Sequence, residues 1–180
     1  MRTAKSSLRH DPVSMSDARR AFAAHPIPAL IATGFGAGLS PVAPGTAGSL
    51  LGLAVSWLLR SHGGIFGSPV GLLMSGLAVG LLGVAVSVPV CRALSSEDPG
   101  CVVIDEVAGQ MVACAGVPLV PGAPWWAWVA AFLLFRGFDI VKPLGIRRIQ
   151  ELPGGWGVVA DDLLGGAYAA VVLAALSRWV

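Results

Sequence analysis

Charge is scarce in this chain: only 12% of its 180 residues are Asp, Glu, Lys or Arg, where an ordinary soluble domain carries about 25%. With a mean hydropathy of +0.76, the composition excludes a conventional soluble domain and places the chain in a bilayer. Cysteine is equally sparse. Cys91, Cys101 and Cys114 are odd in number and show no CxxC spacing, which argues against a disulfide framework or a zinc site. None opens a Cys-x5-Arg loop, because Glu97, Val107 and Val120 stand six residues on, so thiol-based phosphoryl chemistry is disfavoured. Of the three histidines, His10 and His62 lie in the polar leader and a loop, and only His25 adjoins the apolar region. Histidine nucleophile chemistry is therefore not expected either. There is no long repeat, low-complexity tract or domain linker, and no nucleic-acid partner is expected.

What is present is a series of apolar runs broken by short polar stretches. Residues 1–25 read as a basic, partly disordered cytoplasmic leader, carrying Arg2, Lys5, Arg9, Arg19 and Arg20 without an apolar core of its own. Residues 26–180 read as a single membrane-embedded domain. The expected fold is an all-α polytopic membrane helix bundle of about five transmembrane helices. It has a Gly/Pro-rich re-entrant or interfacial loop and a short amphipathic surface helix. The loop, Gly34 to Thr46, combines Gly34, Gly36, Gly38 and Gly45 with Pro41 and Pro44, too costly a set for a helix. At membrane depth it must be covered by protein or line a wet cavity. Helices are then expected over Thr46 to Leu59 (only about 21 Å, short for a span), Pro69 to Val90, Asp105 to about Val120, Trp125 to Val141, and Asp161 to Ser177. Ile146, Ile149 and Leu152 recur at helical spacing opposite Arg147, Arg148 and Glu151, the pattern of a surface helix. With the leader inside, all acidic residues of the body fall on the inner side and the loops around His62 and Trp125 carry no charge. Trp125, Trp126 and Trp128 suit an aromatic belt.

Three segments bring carboxylates to that inner face: VVIDEVAG with Asp105 and Glu106, FRGFDIVKP with Asp139, and VADDLLGG with Asp161 and Asp162. Acids at helix ends in a membrane are costly and face a wet or protein-lined interior. Taken singly, each has a plain alternative as a helix-terminus charge, with Asp139 paired to Arg136. Taken together, two adjacent acid pairs and a membrane-flanked Asp exceed what capping requires. Arg136 and Lys142, each three residues from Asp139, supply only two positive charges against five negative ones. A divalent cation would fill the gap, and an all-oxygen donor set selects a hard one such as Mg²⁺. Candidate metal ligands are Asp105, Asp139, Asp161 and Asp162. The glycine loop lacks the spacing and lysine of a P-loop. Its backbone N–H groups at the start of a helix, with Gly45, Thr46 and Ser40, nevertheless favour an anion, and Ser49 adds a hydroxyl.

These pieces (GFGAGLSPVAPGTAGSL, IDEVAGQ, FRGFDIVKP and GGWGVVADDLLGG) together resemble the phosphatidylglycerophosphatase A family across roughly Leu30 to Ala170. Leu144 and Gly145 depart from the expected pattern after Lys142 and Pro143, where an aromatic residue and a second proline are expected. The resemblance implies Mg²⁺-dependent hydrolysis of phosphatidylglycerophosphate to phosphatidylglycerol and phosphate at the cytoplasmic face of the bacterial inner membrane. Anionic phospholipid would then be the substrate and membrane lipids the surroundings, and a homo-oligomer is compatible with this. The catalytic set is Glu106, Asp105, Asp139 and Asp162, with Glu106 as the candidate to activate water and a direct Asp nucleophile left open. Arg136, Lys142, Gly45, Thr46 and Ser40 would bind phosphate. Competing readings are an ion-coupled transporter, disfavoured because the acids crowd one face and no inverted repeat is visible, and a noncatalytic assembly subunit whose charges pair with a partner.

Overall fold

The computed structural model describes residues 15–143, 145–149 and 155–179. They form helices joined by turns, with no strand among the described residues. Eight α-helices follow in order: α1 Met15–Ala24, α2 Pro26–Ala32, α3 Pro44–His62, α4 Pro69–Leu94, α5 Ile104–Cys114, α6 Trp125–Val141, α7 Ile146–Ile149 and α8 Gly155–Leu176.

Prolines mark the starts. Pro26, Pro44 and Pro69 each occupy the first turn of a helix, where the missing N–H is no loss and the fixed φ is already helical. Ser68 completes the start of α4 by accepting a hydrogen bond from the Gly71 N–H at 3.0 Å, an N-cap. Between α2 and α3 the chain reverses through Gly34, Phe35 and Gly36, all at positive φ.

At the centre lies α5, and every one of its eleven residues is buried. It is packed by α3, α4, α6 and α8. Glycines permit this density. A Cβ on Gly52 of α3 would stand 2.6 Å from the Val107 carbonyl oxygen, one on Gly48 would stand 2.8 Å from Val103, and one on Gly76 of α4 would stand 2.8 Å from Val112. Small residues at these crossings let backbones approach, as in membrane bundles generally. The contacts also set direction. Gly48 and Gly52 meet Val103 and Val107, and Gly166 meets Gly109 while Gly116 meets Ala170, so α3 and α8 run parallel to α5. Gly76 meets Val112 while Gly83 meets Ile104, so α4 runs against it. The chain thus passes back and forth, with the starts of α3 and α5 at the same end.

Outward faces of these helices are apolar. Leu50, Trp57 and Leu58 on α3, Val70, Met74, Leu81 and Leu82 on α4, Leu133 and Ile140 on α6, and Val171 on α8 are all exposed, the kind of apolar surface that marks a membrane or protein contact. Two helices, Pro69–Leu94 and Gly155–Leu176, are long and apolar enough to cross a bilayer.

Several boundaries differ from the sequence expectation. Met15–Ala24 of the leader is a helix whose Ala18 and Ala21 are buried, because their small side chains fit it against α2 and α4. The first fourteen residues lie outside the described ones. α3 runs on to His62, so Arg60 occupies the last turn and the far end is not free of charge. α5 stops at Cys114 and gives way to a 3-10 turn over Val117–Leu119, where Pro118 cannot continue the helical hydrogen bonding. α8 begins at Gly155 rather than near Asp161, because Gly155 lies close against α4, 2.7 Å from the Val84 carbonyl oxygen for a notional Cβ. Asp161 and Asp162 therefore sit nearly two turns inside the helix, not at its end. Of the surface helix, Ile146–Ile149 is helical, and Leu152 with Glu151 lies outside the described residues. Trp125 is exposed, whereas Trp126 and Trp128 pack on the cluster around Val117 and Val120.

Candidate active site

Asp105 and Glu106 occupy the first turn of α5, whose entry is held by the Val103 N–H donating to the Ala32 carbonyl at 2.9 Å. Asp162 comes across from α8 because that helix lies almost against α5: a Cβ on Gly109 would be 2.6 Å from the Asp162 carbonyl oxygen. Asp105, Glu106 and Asp162 each bring an oxygen within 4.8 Å of the others, although all three residues are only 5–6% exposed. Asp105 Oδ1 and Glu106 Oε2 are buried without a hydrogen-bond partner. Burying carboxylates this close together is unfavourable unless a proton or a cation offsets their repulsion. Hard oxygen donors of this number suit a cation of the Mg²⁺ kind, which takes few protein ligands.

The two basic residues flank this trio and are already engaged. Arg136 Nη1 donates to Asp139 Oδ2 at 2.7 Å and lies 3.4 Å from Ser49 Oγ on α3. Lys142, which ends α6 in the left-handed conformation, donates through Nζ to Asp161 Oδ2 at 2.7 Å. Burial works against the Lys142 ammonium, but Asp161, with Asp162 and Asp139 nearby, outweighs it and raises its pKa above the ordinary lysine value. Both pairs are largely shielded, with side-chain exposures of 18% and 14% for Arg136–Asp139 and 18% and 4% for Lys142–Asp161.

The start of α3 closes the remaining side. A Cβ on Gly45 would collide with Glu106 Oε1 and stand 3.4 Å from Arg136 Nη1, so only glycine leaves this approach open. Thr46 is half-buried on the same turn. Ser40 is committed elsewhere, its hydroxyl donating to the Val42 carbonyl at 2.8 Å.

The structure therefore gathers all five acids, both cations and Gly45, but in an arrangement that spacing alone did not suggest. Glu106 joins Asp105 and Asp162, whereas Asp139 and Asp161 face cations. Ser49 emerges as an Arg136 neighbour. Its position four residues after Gly45, on the same helical face, was the available signal. Gln110 is a second such residue. It is fully buried one turn beyond Glu106, with Nε2 donating to Cys114 Sγ at 3.4 Å and Oε1 without a partner.

Comparison with known proteins identifies the family. The family model described as phosphatidylglycerophosphatase A matches residues 30–177. A Bacteroides thetaiotaomicron protein provisionally named a phosphatidylinositol-3-phosphatase is 43% identical over 159 residues, covering 86% of this chain and 95% of that one. Phosphatidylglycerophosphatase A of Haemophilus influenzae is 38% identical over 153 residues, covering 84% and 89% respectively. The Escherichia coli protein of the same name is 34% identical over 150 residues, covering 80% of each chain. No solved structure matches the chain significantly. With the family model spanning most of the chain and all the acidic segments, the chain belongs to the phosphatidylglycerophosphatase A family and is a phosphoric monoester hydrolase.

Proposed function

We propose that the protein hydrolyses the terminal phosphate of phosphatidylglycerophosphate, giving phosphatidylglycerol and inorganic phosphate, with Mg²⁺ as cofactor. The observation that carries this reading is the buried trio Asp105, Glu106 and Asp162, in which Asp105 Oδ1 and Glu106 Oε2 have no hydrogen-bond partner, beside the pairs Arg136–Asp139 and Lys142–Asp161. Five helices, α3, α4, α5, α6 and α8, would cross the bacterial inner membrane, with the acidic end toward the cytoplasm, where Arg19, Arg20 and Arg92 also lie. The apolar outward faces and the back-and-forth path support this placement. An ion-coupled carrier is less well supported, because the acids lie at one end of the bundle and the relatives are named as phosphatases.

Asp105 and Asp162, with Glu106 beside them, would hold the cation, which when bound supplies Lewis-acid shielding for the phosphoryl oxygens. A phosphate monoester carries about −1.5 to −2 charges near neutral pH, which Arg136 and Lys142 would meet with their remaining N–H groups. Asp139 and Asp161 would hold the two cations in position. Arg136 offers a planar fork for two oxygens and Lys142 a point charge. Glu106 reaches both the trio and the Gly45 opening, so it is placed to take the proton as water attacks phosphorus. The phosphorus–oxygen bond to the glycerol breaks, and the same proton returns to the leaving alkoxide. Gly45 and Thr46 would present the start of α3 to the phosphate.

The test is phosphate release by the purified protein from mixed micelles of phosphatidylglycerophosphate, with and without Mg²⁺. Asp105→Asn and Asp162→Asn are expected to lower turnover at least about a hundredfold. Undiminished turnover in both would sink the assignment of the acids, and undiminished turnover in chelator would sink the metal. The Bacteroides relative's name makes phosphatidylinositol 3-phosphate the right comparator. Faster release from that lipid would transfer the substrate assignment to it.

A further inference from the structure

Gln110 is fully buried in α5, four residues after Glu106. Helical side chains lean toward the N-terminus and residues four apart are neighbours, which aims Gln110 at the turn carrying Glu106. Both residues face α3. Glu106 Oε1 lies against Gly45, and a Cβ on Gly52, two turns further along α3, would stand 3.0 Å from Gln110 Cβ. Along this seam the hydroxyls of Ser49 and Ser56 are spent on their own helix, donating to the Gly45 and Gly52 carbonyls at 2.9 and 2.8 Å. Arg136 stands on the Gly45 side of Glu106. The Gln110 amide is the donor left for the inner side of that carboxylate.

With Nε2 on Cys114 Sγ at 3.4 Å, two buried acceptors stand one turn apart without a donor, Gln110 Oε1 and Glu106 Oε2. The two ends of an amide exchange by a half-turn about the Cγ–Cδ bond. In that orientation Nε2 donates to Glu106 Oε2 and Oε1 accepts the Cys114 S–H, so one rotation satisfies both acceptors. We propose that Gln110 is a positioning residue for Glu106: its amide, anchored on the Cys114 thiol, donates to Glu106 Oε2 and holds the carboxylate with Oε1 toward the Gly45 opening. This rests on the lipid-phosphatase reading above, in which Glu106 takes the proton of the attacking water. A carboxylate oxygen has two acceptor sites, so the bond leaves Oε2 able to serve the cation as well. Carboxylates that hold a metal are themselves commonly fixed by such hydrogen bonds.

The experiment uses the full chain with Gln110→Met, which keeps the volume but has no N–H to donate and no amide oxygen to accept. The first measurement is the infrared S–H stretching band of Cys114, in a background carrying Cys91→Ser and Cys101→Ala. The band is expected below the frequency of a free thiol while Gln110 is present, and to move up in Gln110→Met. A free-thiol frequency before the substitution, or a band that the substitution does not move, would overturn the inference. The second is turnover of phosphatidylglycerophosphate with Mg²⁺, per folded molecule, with melting temperature in detergent as the check on folding. Gln110→Met is expected to lose about tenfold or more in kcat, the worth of a hydrogen bond to a charged group, with KM changed by less than about twofold. An unchanged kcat would leave Gln110 with a packing role alone, and a loss confined to KM would place it on substrate binding. Either overturns the inference and leaves the phosphatase reading intact. A folded wild-type protein that releases no phosphate would remove the phosphatase reading, and the inference with it.

Discussion

Gly45 shows how narrowly single residues constrain this site. A methyl group there would displace the Glu106 carboxylate and crowd Arg136, and displacements of about 1 Å at a reacting group cost on the order of a hundredfold in rate. Gly45→Ala is accordingly expected to lose about that factor in kcat with little change in melting temperature, measured side by side on one preparation. Lys142 tests a different property. Replacing it with Met removes the cation facing the buried Asp161 carboxylate, and breaking such a pair destabilises by about 3 kcal/mol. The double variant Lys142→Met/Asp161→Asn should recover most of the lost thermal stability without recovering activity. If it recovers neither, the pair is not what holds this corner. The sign of its pH dependence follows from the raised Lys142 pKa. The pair's contribution is complete below the ordinary lysine value of about 10.4 and is lost as pH rises through the higher folded value. Thermal stability between about pH 6 and 9 should therefore show no step attributable to this pair.

Elements matter here because the acids are carried by helices that touch through glycine. Gly109 on α5 leaves room for the Asp162 carbonyl and the Phe135 ring, each 2.6 Å from a notional Cβ. In Gly109→Ala, α8 must move away and take Asp162 out of the trio. Both melting temperature and turnover are expected to fall, unlike in Gly45→Ala, where only turnover does. Retained turnover in a folded Gly109→Ala protein would mean that Asp162 is not positioned by this crossing. The central helix itself was hard to read as a span. Its eleven residues would cover only about 16 Å, and it is polar at one end. Its depth within the bundle comes from four neighbours, information that no local window contains.

At the scale of the whole molecule the expectation is a bundle with one chemically active end. A single cysteine placed at Ser96 should be labelled by a membrane-impermeant reagent only from the cytoplasmic side, and one at Gly63 only from the opposite side, in a background with Cys91 replaced. Cys101 does not interfere, since it is buried and burial raises its thiol pKa. Labelling of both positions from one side would overturn the five-span topology. The proposed cation would bind only the assembled bundle, since its three carboxylates come from α5 and α8. Millimolar Mg²⁺ should raise the melting temperature of the wild-type protein, because a ligand that binds only the folded state stabilises it. The shift should vanish in Asp105→Asn.

Read alone, the sequence determined the apolar composition, the helical class, the three acidic segments and the two basic residues that accompany them. These depend on composition and on short-range periodicity, which survive without knowledge of neighbours. It also placed Arg136 near Asp139, because residues three apart share a helical face. What only the tertiary structure decided was the partition of the five acids. Which carboxylates cluster and which face a cation depends on how α5, α6 and α8 cross. That is set by glycine contacts far apart in the chain, such as Gly109 with Asp162 and Gly166 with the Gly109 carbonyl. The surroundings of Gly45 and Ser49 were decided in the same way, Gly45 against Glu106 and Ser49 beside Arg136. A glycine pressed against a carboxylate and one facing open space look identical in sequence, and only packing distinguishes them.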